Sequence, residues 1–371
     1  MIEIIEAEEK HSALLQKFFQ EQTVSAHVDY SIFRPHSFFD HYRTLSDDFS
    51  TVMLMDESQN LLGAASVTFL RGYVNRQEQT VGFLSDLRIS PQRLAVQQWA
   101  QHFIPLLYKR MEEKNCKFLF TAIEQYENQA YNALLRPRKV RRSLPHYYLY
   151  RKVNLNFFVG RWPWSPTPMP SIRVMHAWDN DIEEICDYLM KKKIGSRIYF
   201  NMTPEVLKRK FEKWPGFSIH NFLLARNYKN EIIGCMAPWN NGEVQQYQVR
   251  HYHDESRLLY ESLNFTSLFR LSQYLPEEGR SLNLKYVTHC GVDNPEVFFS
   301  LLCEAYSETE RGELLVHTNY FGDYATRPPL SFISAKIPYG FYSVFPPEED
   351  LPAFLKPNPF APPPDFNFVH L

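Results

Sequence analysis

Residues 81–135 order an apolar strand, a turn, an amphipathic helix, a second strand and a second helix, and this alternation limits the fold more than any other feature of the chain. Phe83, Leu87 and Ile89 mark the first strand before Pro91 breaks it. In the helix that follows, Val96, Trp99, Phe103, Leu106 and Leu107 recur at spacings of three and four, which places them on one side. Lys117–Ile123 reads as a buried strand by length and composition, and Asn128–Leu135 as the second helix. A helix N-terminus set against a strand end presents unpaired backbone N–H groups and the positive end of the helix dipole. That suits an anion such as a pyrophosphate.

The run Arg93, Leu94, Ala95, Val96, Gln97, Gln98, directly after the strand and Pro91, resembles the pyrophosphate loop of the GNAT superfamily of acyl-CoA N-acyltransferases. That loop is Arg or Gln, two residues, Gly, one residue, then Gly or Ala, placed after the fourth strand. The Pro and the Arg are kept, while Val96 and Gln98 stand where the family has its glycines. Glu127, Asn128, Gln129 and Ala130 approximate a later family segment, with Leu134 where a Tyr acid is often found. The resemblance covers roughly residues 1 to 153. It implies a mixed α/β (α+β) fold, acetyl-CoA or another acyl-CoA as co-substrate, and residues 93–98 around its pyrophosphate, with Arg93 as a charge-assisted donor. It also implies that a backbone amide near Leu87, Arg88 and Ile89 meets the thioester carbonyl.

With 371 residues, two domains are expected. A net charge of -2 argues against a nucleic-acid partner, which needs an excess of Lys and Arg on one face. Five widely spaced cysteines, at positions 116, 186, 235, 290 and 303, fit reduced thiols rather than disulfides or a metal site. The first residues are acidic where a secretory signal is basic, and no apolar run has membrane-spanning length. The reading is a cytoplasmic protein with no membrane partner.

Residues 1–155 form the first expected domain, from an opening strand at Ile2–Ile5 to a closing strand at His146–Val153. Residues 156–171, with four prolines and two tryptophans, read as an extended connector. A second cycle of elements occupies 172–345. Thr203 with Pro204 marks a helix start, Leu284–His289 resembles a fourth strand, Asn294–Tyr306 a helix and Glu313–Thr318 a fifth strand. The order repeats, so two GNAT-like units in tandem are expected, each a twisted, mostly antiparallel mixed sheet flanked by helices. In the second unit Asp293 is the expected N-cap and would repel phosphate, so no coenzyme is expected there. Residues 346–371 form a Pro-rich tail predicted to run extended over the surface.

Acyl transfer to an amine needs a base for the ammonium and an acid for the leaving thiolate. Asp86 and Glu124, at or near strand ends, are the candidate bases, against a competing reading as salt-bridge partners. Tyr131 is the candidate acid, against ordinary aromatic packing. The basic run of Arg136, Arg138, Lys139, Arg141 and Arg142 suits a coenzyme phosphate or, more commonly, a solvated face. His251 and His253 lack a third ligand, so no metal is expected. Phe33, Phe38, Phe39, Tyr42, Tyr73 and Phe83 suit either an apolar acceptor lining or core packing. The acceptor is then a small-molecule or peptide amine. Two competing readings are a non-catalytic binding or scaffold protein on this fold and a relative that transfers aminoacyl groups.

Overall fold

The computed structural model describes residues 2–25, 28–90, 92–125, 134–135, 144–366 and 369. The first half opens with β1 (Glu3–Glu6), α1 (Ser12–Glu21), β2 (Val28–Phe33) and α2 (Asp40–Leu45). It continues with β3 (Phe49–Met55), β4 (Leu61–Val74), β5 (Gln77–Ile89), α3 (Arg93–Glu113), β6 (Cys116–Glu124) and β7 (His146–Arg161). The second half begins with β8 (Arg173–His176), α4 (Ile182–Lys193), β9 (Ile198–Tyr199), α5 (Pro204–Lys213), β10 (Leu223–Arg226) and β11 (Ile232–Asn240). It ends with β12 (Gln246–Tyr252), α6 (Asp254–Ser267), β13 (Ser281–Val292), α7 (Pro295–Ser307), β14 (Glu313–Tyr320) and β15 (Phe332–Phe345).

One sheet runs through the molecule in the order β1-β3-β4-β5-β6-β15-β7-β14-β13-β11-β10-β8. Among the described residues β5–β6 and β13–β14 pair in parallel, each across a helix, and the other pairs are antiparallel. Read from its two ends the order is the same, β1-β3-β4-β5-β6 against β8-β10-β11-β13-β14. The closing strands are exchanged: β15 lies against β6, and β7 against β14. β7 does not stop near Val153 but continues to Arg161, because its later residues pair with both β14 and β15.

α3 packs on one face of this sheet through Trp99 and Leu107, both nearly fully buried, which is the apolar stripe read from the sequence. Of the second helix expected at Asn128–Leu135, residues 128–133 lie outside the described residues.

Each unit carries the same irregularity. Asp86 and Leu87 of β5 stand opposite the single residue Ala65 of β4, and His289 and Cys290 of β13 stand opposite Met236 of β11. Asp86 (φ 56°) and His289 (φ 48°) are both in the left-handed region, which Asp and His enter more readily than most side chains. In both units parallel pairing has just ended, at Leu84–Thr121 and at Tyr286–Val316. The strands therefore part where the bulge turns one of them.

The tail is anchored rather than loosely draped. Arg151 donates to the carbonyls of Asn358 (2.5 Å) and Ala361, and Ser196 Oγ donates to that of Pro363 (2.6 Å). Phe366 stacks on Phe83 at 4.3 Å, and Leu355 and Val369 are buried. A proline-rich strand has carbonyls without matching N–H donors, and these side chains supply the donors.

Candidate active site

Where β5 and β6 part, a cavity of about 490 Å³ opens between the two halves of the chain. Ser85, Asp86, Arg88, Ala122 and Glu124 form its wall on the β5–β6 side. Opposite lie Leu259 and Leu263 of α6, Leu282, Leu284 and Tyr286 of β13, and Ile337 and Tyr339 of β15, with Tyr30 and Tyr247 from β2 and β12. β2 reaches this place because it pairs with β12 of the other half, Ile32 facing Tyr247 in register.

The bulge at Asp86 is fixed from beneath by a buried network. Arg34 Nη2 donates to Asp86 Oδ2 at 2.6 Å, and the Tyr42 hydroxyl donates to the same oxygen. Arg34 also donates through Nε and Nη2 to Gln245 Oε1, at 3.0 and 2.8 Å, and Gln245 Nε2 donates to the Tyr247 hydroxyl at 2.7 Å. The side chains of Arg34 and Asp86 are 1% and 5% exposed, so this is a pair removed from water, with Arg34 also lying over the Phe38 ring at 4.4 Å. Burial is the largest single effect and pushes the Asp86 carboxyl up, but the Arg34 charge, His41 and the hydrogen bonds from Tyr42 and Arg34 together outweigh it and hold the group at about 2. Burial, then the Asp86 charge, pushes the Tyr42 phenol well above its usual range.

Glu124, 4% exposed, ends β6 at the cavity wall, and the Tyr339 hydroxyl donates to its Oε2 at 3.4 Å. Tyr30 and Tyr247 meet edge to face with ring centres 5.7 Å apart, and the Tyr286 hydroxyl hydrogen-bonds that of Tyr247. Burial first, and the neighbouring phenols next, keep Tyr286 protonated far above its ordinary range, and Tyr339 likewise with Glu124 adding to the effect.

The candidates named from sequence divide by position. Asp86, Arg88 and Glu124 line the cavity, whereas Leu87 and Ile89 turn to the opposite face and pack with Ala95 and Trp99 under α3. Arg93, Leu94, Val96 and Gln97 form the first turn of α3, and Gln98 meets His102 Nε2 at 3.1 Å. Tyr131 and the basic run 136–142 lie outside the described residues. Among the described residues Gln92 is the N-cap of α3 and makes no side-chain capping bond. At α7 the cap is Asn294, not the expected Asp293: its Oδ1 accepts from Val297 N at 2.9 Å, with Pro295 next in the chain. Asp293 instead pairs with Lys192 at 2.6 Å and accepts from the Tyr188 hydroxyl at 2.8 Å.

Of the aromatic residues considered for an acceptor lining, Phe38, Phe39, Tyr42 and Phe83 are buried in the core. The tyrosines that do line the cavity, Tyr30, Tyr247, Tyr252, Tyr286 and Tyr339, sit on four strands far apart in the chain. Arg34, Gln245 and these tyrosines are the site residues that sequence reasoning missed. The one local signal was the alternation of Tyr30 and Ile32 along one side of β2, continued by Arg34 just past its end.

The sequence matches no protein-family model and no curated protein. Solved structures do match it. N-myristoyltransferase from Saccharomyces cerevisiae with bound myristoyl-CoA is similar, at a TM-score of 0.57 and 10% identity, over 93% of this chain and 79% of that one. A GCN5-related glucosamine N-acetyltransferase region in a fungal multi-domain GH3 β-N-acetylglucosaminidase is similar at a TM-score of 0.54 and 10% identity, over 93% of this chain and 38% of that one. With the bulged strand, the helix crossover and the repeated half-sheets already described, these likenesses show that the chain has a GNAT-like fold in a two-unit arrangement.

Proposed function

We propose that the chain is an acyl-CoA-dependent N-acyltransferase that moves an acyl group, acetyl in the simplest case, to the amine of a small molecule or peptide. One observation carries this: β5 bulges at Asp86 and parts from β6 into a cavity that holds Glu124, while the same strand leads into an uncapped helix start. In this reading residues 1–155 hold the donor and residues 172–345 supply most of the acceptor wall. The first-turn amides of α3 and the Arg93 guanidinium hold the pyrophosphate, Val96 and Gln98 lengthening the approach that glycines allow elsewhere. Backbone N–H groups between Leu87 and Ile89, beyond the point where β5 parts from β6, polarise the thioester carbonyl.

Glu124 accepts one proton of the acceptor ammonium; the amine nitrogen attacks the carbonyl carbon, the C–S bond breaks, Tyr131 gives its proton to the thiolate, and the second proton that the nitrogen loses as the amide forms restores Tyr131. Asp86 has too low a proton affinity to serve as base at neutral pH; with Arg34 it holds the bulge in place. Free thiols at Cys116, Cys186, Cys235, Cys290 and Cys303 support a reducing, cytoplasmic setting.

Calorimetric titration of acetyl-CoA and longer acyl-CoAs into the full chain, repeated with Arg93→Ala, tests the donor site, and thiol release in the presence of a panel of amines tests the chemistry. Binding weakened by Arg93→Ala, with amine-dependent thiol release, is expected. Folded protein that neither binds nor consumes any acyl-CoA overturns the proposal and leaves a binding module on this fold.

A further inference from the structure

α6 is built the reverse of an ordinary surface helix. Its buried residues are Ser256, Leu263 and Ser267, and most of its large apolar side chains face outward. Leu258 and Phe265, with Leu268 and Phe269 just past the helix end, are each 63–69% exposed, and Leu259 and Leu271 beside them are 40% exposed. The chain continues beyond Ser267 in tight turns, Leu268 N donating to the Phe265 carbonyl at 3.3 Å and Phe269 N to that of Thr266 at 3.1 Å. Leu258, Ser262, Phe265 and Phe269 therefore recur at spacings of four, three and four, as along the seam between two packed helices. The rings of Phe265 and Phe269 already meet edge to face at 5.5 Å.

Area and charge say what covers this face. Taking about 200 Å² for a whole Leu or Phe residue, the six leave about 600 Å² in water, nearly all of it apolar. A stable dimer buries about 800 Å² on each partner, of which about 500 Å² is apolar. The patch has the size of one such interface. A helix that lies on a phospholipid surface carries Lys and Arg on its polar side, whereas residues 254–271 hold Asp254, Glu255 and Glu261 against Arg257 and Arg270, with no lysine. Arg257 pairs with Glu261 at 3.5 Å. Asp254 and Glu255 in the first turn then stand opposite in sign to Arg270 at the far end. Two antiparallel copies of α6 set each acidic start beside the Arg270 turn of the other and oppose the two helix dipoles.

We propose that a second copy of this chain docks on that face, α6 against α6, antiparallel about a two-fold axis that passes between Ser262 and Phe265. Such an interface uses the same patch on both copies, so Leu258 of each packs toward Phe269 of the other. The pairing bears on the cavity as well. Leu259 lines it and, next to Leu258, is partly open to water. The second copy covers it there, and the wall that α6 forms is complete only in the pair. None of this depends on the acyl-transfer reading.

The test is sedimentation velocity on the full chain between about 1 and 100 µM, because interfaces of this size have micromolar or tighter affinity. Wild type is expected to be a dimer at the upper end. Phe265→Asp and, separately, Leu258→Asp are expected to raise the dissociation constant by about a hundredfold. Far-UV circular dichroism and the urea midpoint are expected to stay unchanged, since both side chains are exposed. Ser262→Cys is expected to give a covalent dimer with a short bis-maleimide, and Ser262→Cys combined with Phe265→Asp to give none. Wild type that stays monomeric at the highest concentration overturns the proposal. So does a dimer that neither Phe265→Asp nor Leu258→Asp weakens, since its interface lies elsewhere. Monomeric protein that floats with vesicles of phosphatidylcholine and phosphatidylglycerol, and no longer does so as Phe265→Asp, also overturns it and assigns the face to a bilayer.

Discussion

Replacing Asp86 by Asn isolates the charge of the buried network from its shape. Asn is nearly isosteric and enters the left-handed region readily, so the φ of 56° at this position is kept while the negative charge is removed. Two independent routes bound the cost. The carboxyl sits at about 2 in the folded chain against an ordinary 3.8, and at 1.36 kcal/mol per pH unit this is worth about 2 kcal/mol. Because the folded value is the lower one, that stabilisation is fully present above about pH 4 and is lost as pH falls through about 2. The second route starts from Arg34, which is left buried without its charge partner; breaking such a pair costs about 3–5 kcal/mol. The expected loss therefore lies between about 2 and 5 kcal/mol. Urea unfolding at pH 7 of wild type, Asp86→Asn, Arg34→Met and the double variant measures it, and the coupling between the two sites should reach about 2 kcal/mol. A coupling under about 0.5 kcal/mol refutes the reasoning, and so does a stability loss between pH 4 and pH 2 that is as steep in Asp86→Asn as in wild type.

Three other perturbations have definite expected outcomes. Glu124→Gln should lower kcat by about a hundredfold or more while leaving acyl-CoA affinity unchanged; steady-state kinetics with the amine and acyl-CoA varied in turn separate the two. Lys210 Nζ lies 2.9 Å from His289 Nε2, and burial, reinforced by the Lys193 charge, brings its ammonium down to about 7. The unfolded chain then holds more protons between about pH 7 and 10, so stability rises with pH across that window, and Lys210→Met should flatten the rise in urea midpoints measured at both ends. Gly322 has a φ of 88°, and a Cβ there would lie 2.2 Å from the Pro359 carbonyl oxygen. Gly322→Ala should therefore displace the tail and speed limited proteolysis within residues 346–371, seen by mass spectrometry, with the sheet's circular dichroism retained.

What could be read from sequence was what short-range periodicity encodes. The β5–α3–β6 passage was legible because Trp99 and Leu107 recur at helical spacing and Phe118–Ile123 is an apolar run, and Thr203 and Pro204 announced α5 as cap and first residue. The bulges were not legible, since Asp86 and His289 carry positive φ without being glycine, and nothing local marks them. Nor was the partner of Arg34, because Gln245 lies 211 positions away and the pair depends on β2 docking against β12. β7 read as the closing strand of the first unit and β15 was not read as a strand at all, while the pairing partners of both are set by the whole sheet. The tail's prolines read as a surface segment, and its burial follows from Arg151 and Ser196, whose donors could not be assigned to it in advance.

The repeated bulge explains why two similar units need not make two similar sites. At Asp86 the turn of the strand opens onto the cavity. At His289 the same turn meets the rings of Trp214, Phe217 and Phe222, with centres 5.4–5.5 Å from the imidazole, and the Lys210 amine. The helix starts differ in the same sense: α7 has Asn294 and Pro295 consuming or removing its first donors, while among the described residues the Gln92 side chain caps none of those of α3. Filling a parted pair of strands with packed rings gains the burial free energy of each aromatic side chain. Leaving one open forfeits that gain, and the difference is kept only where a ligand makes use of the space. In the proposed reading the second unit has traded its own donor site for stability, and its remaining contribution to the chemistry is the cavity wall that Leu263, Leu282, Leu284, Tyr247, Tyr286 and Tyr339 form.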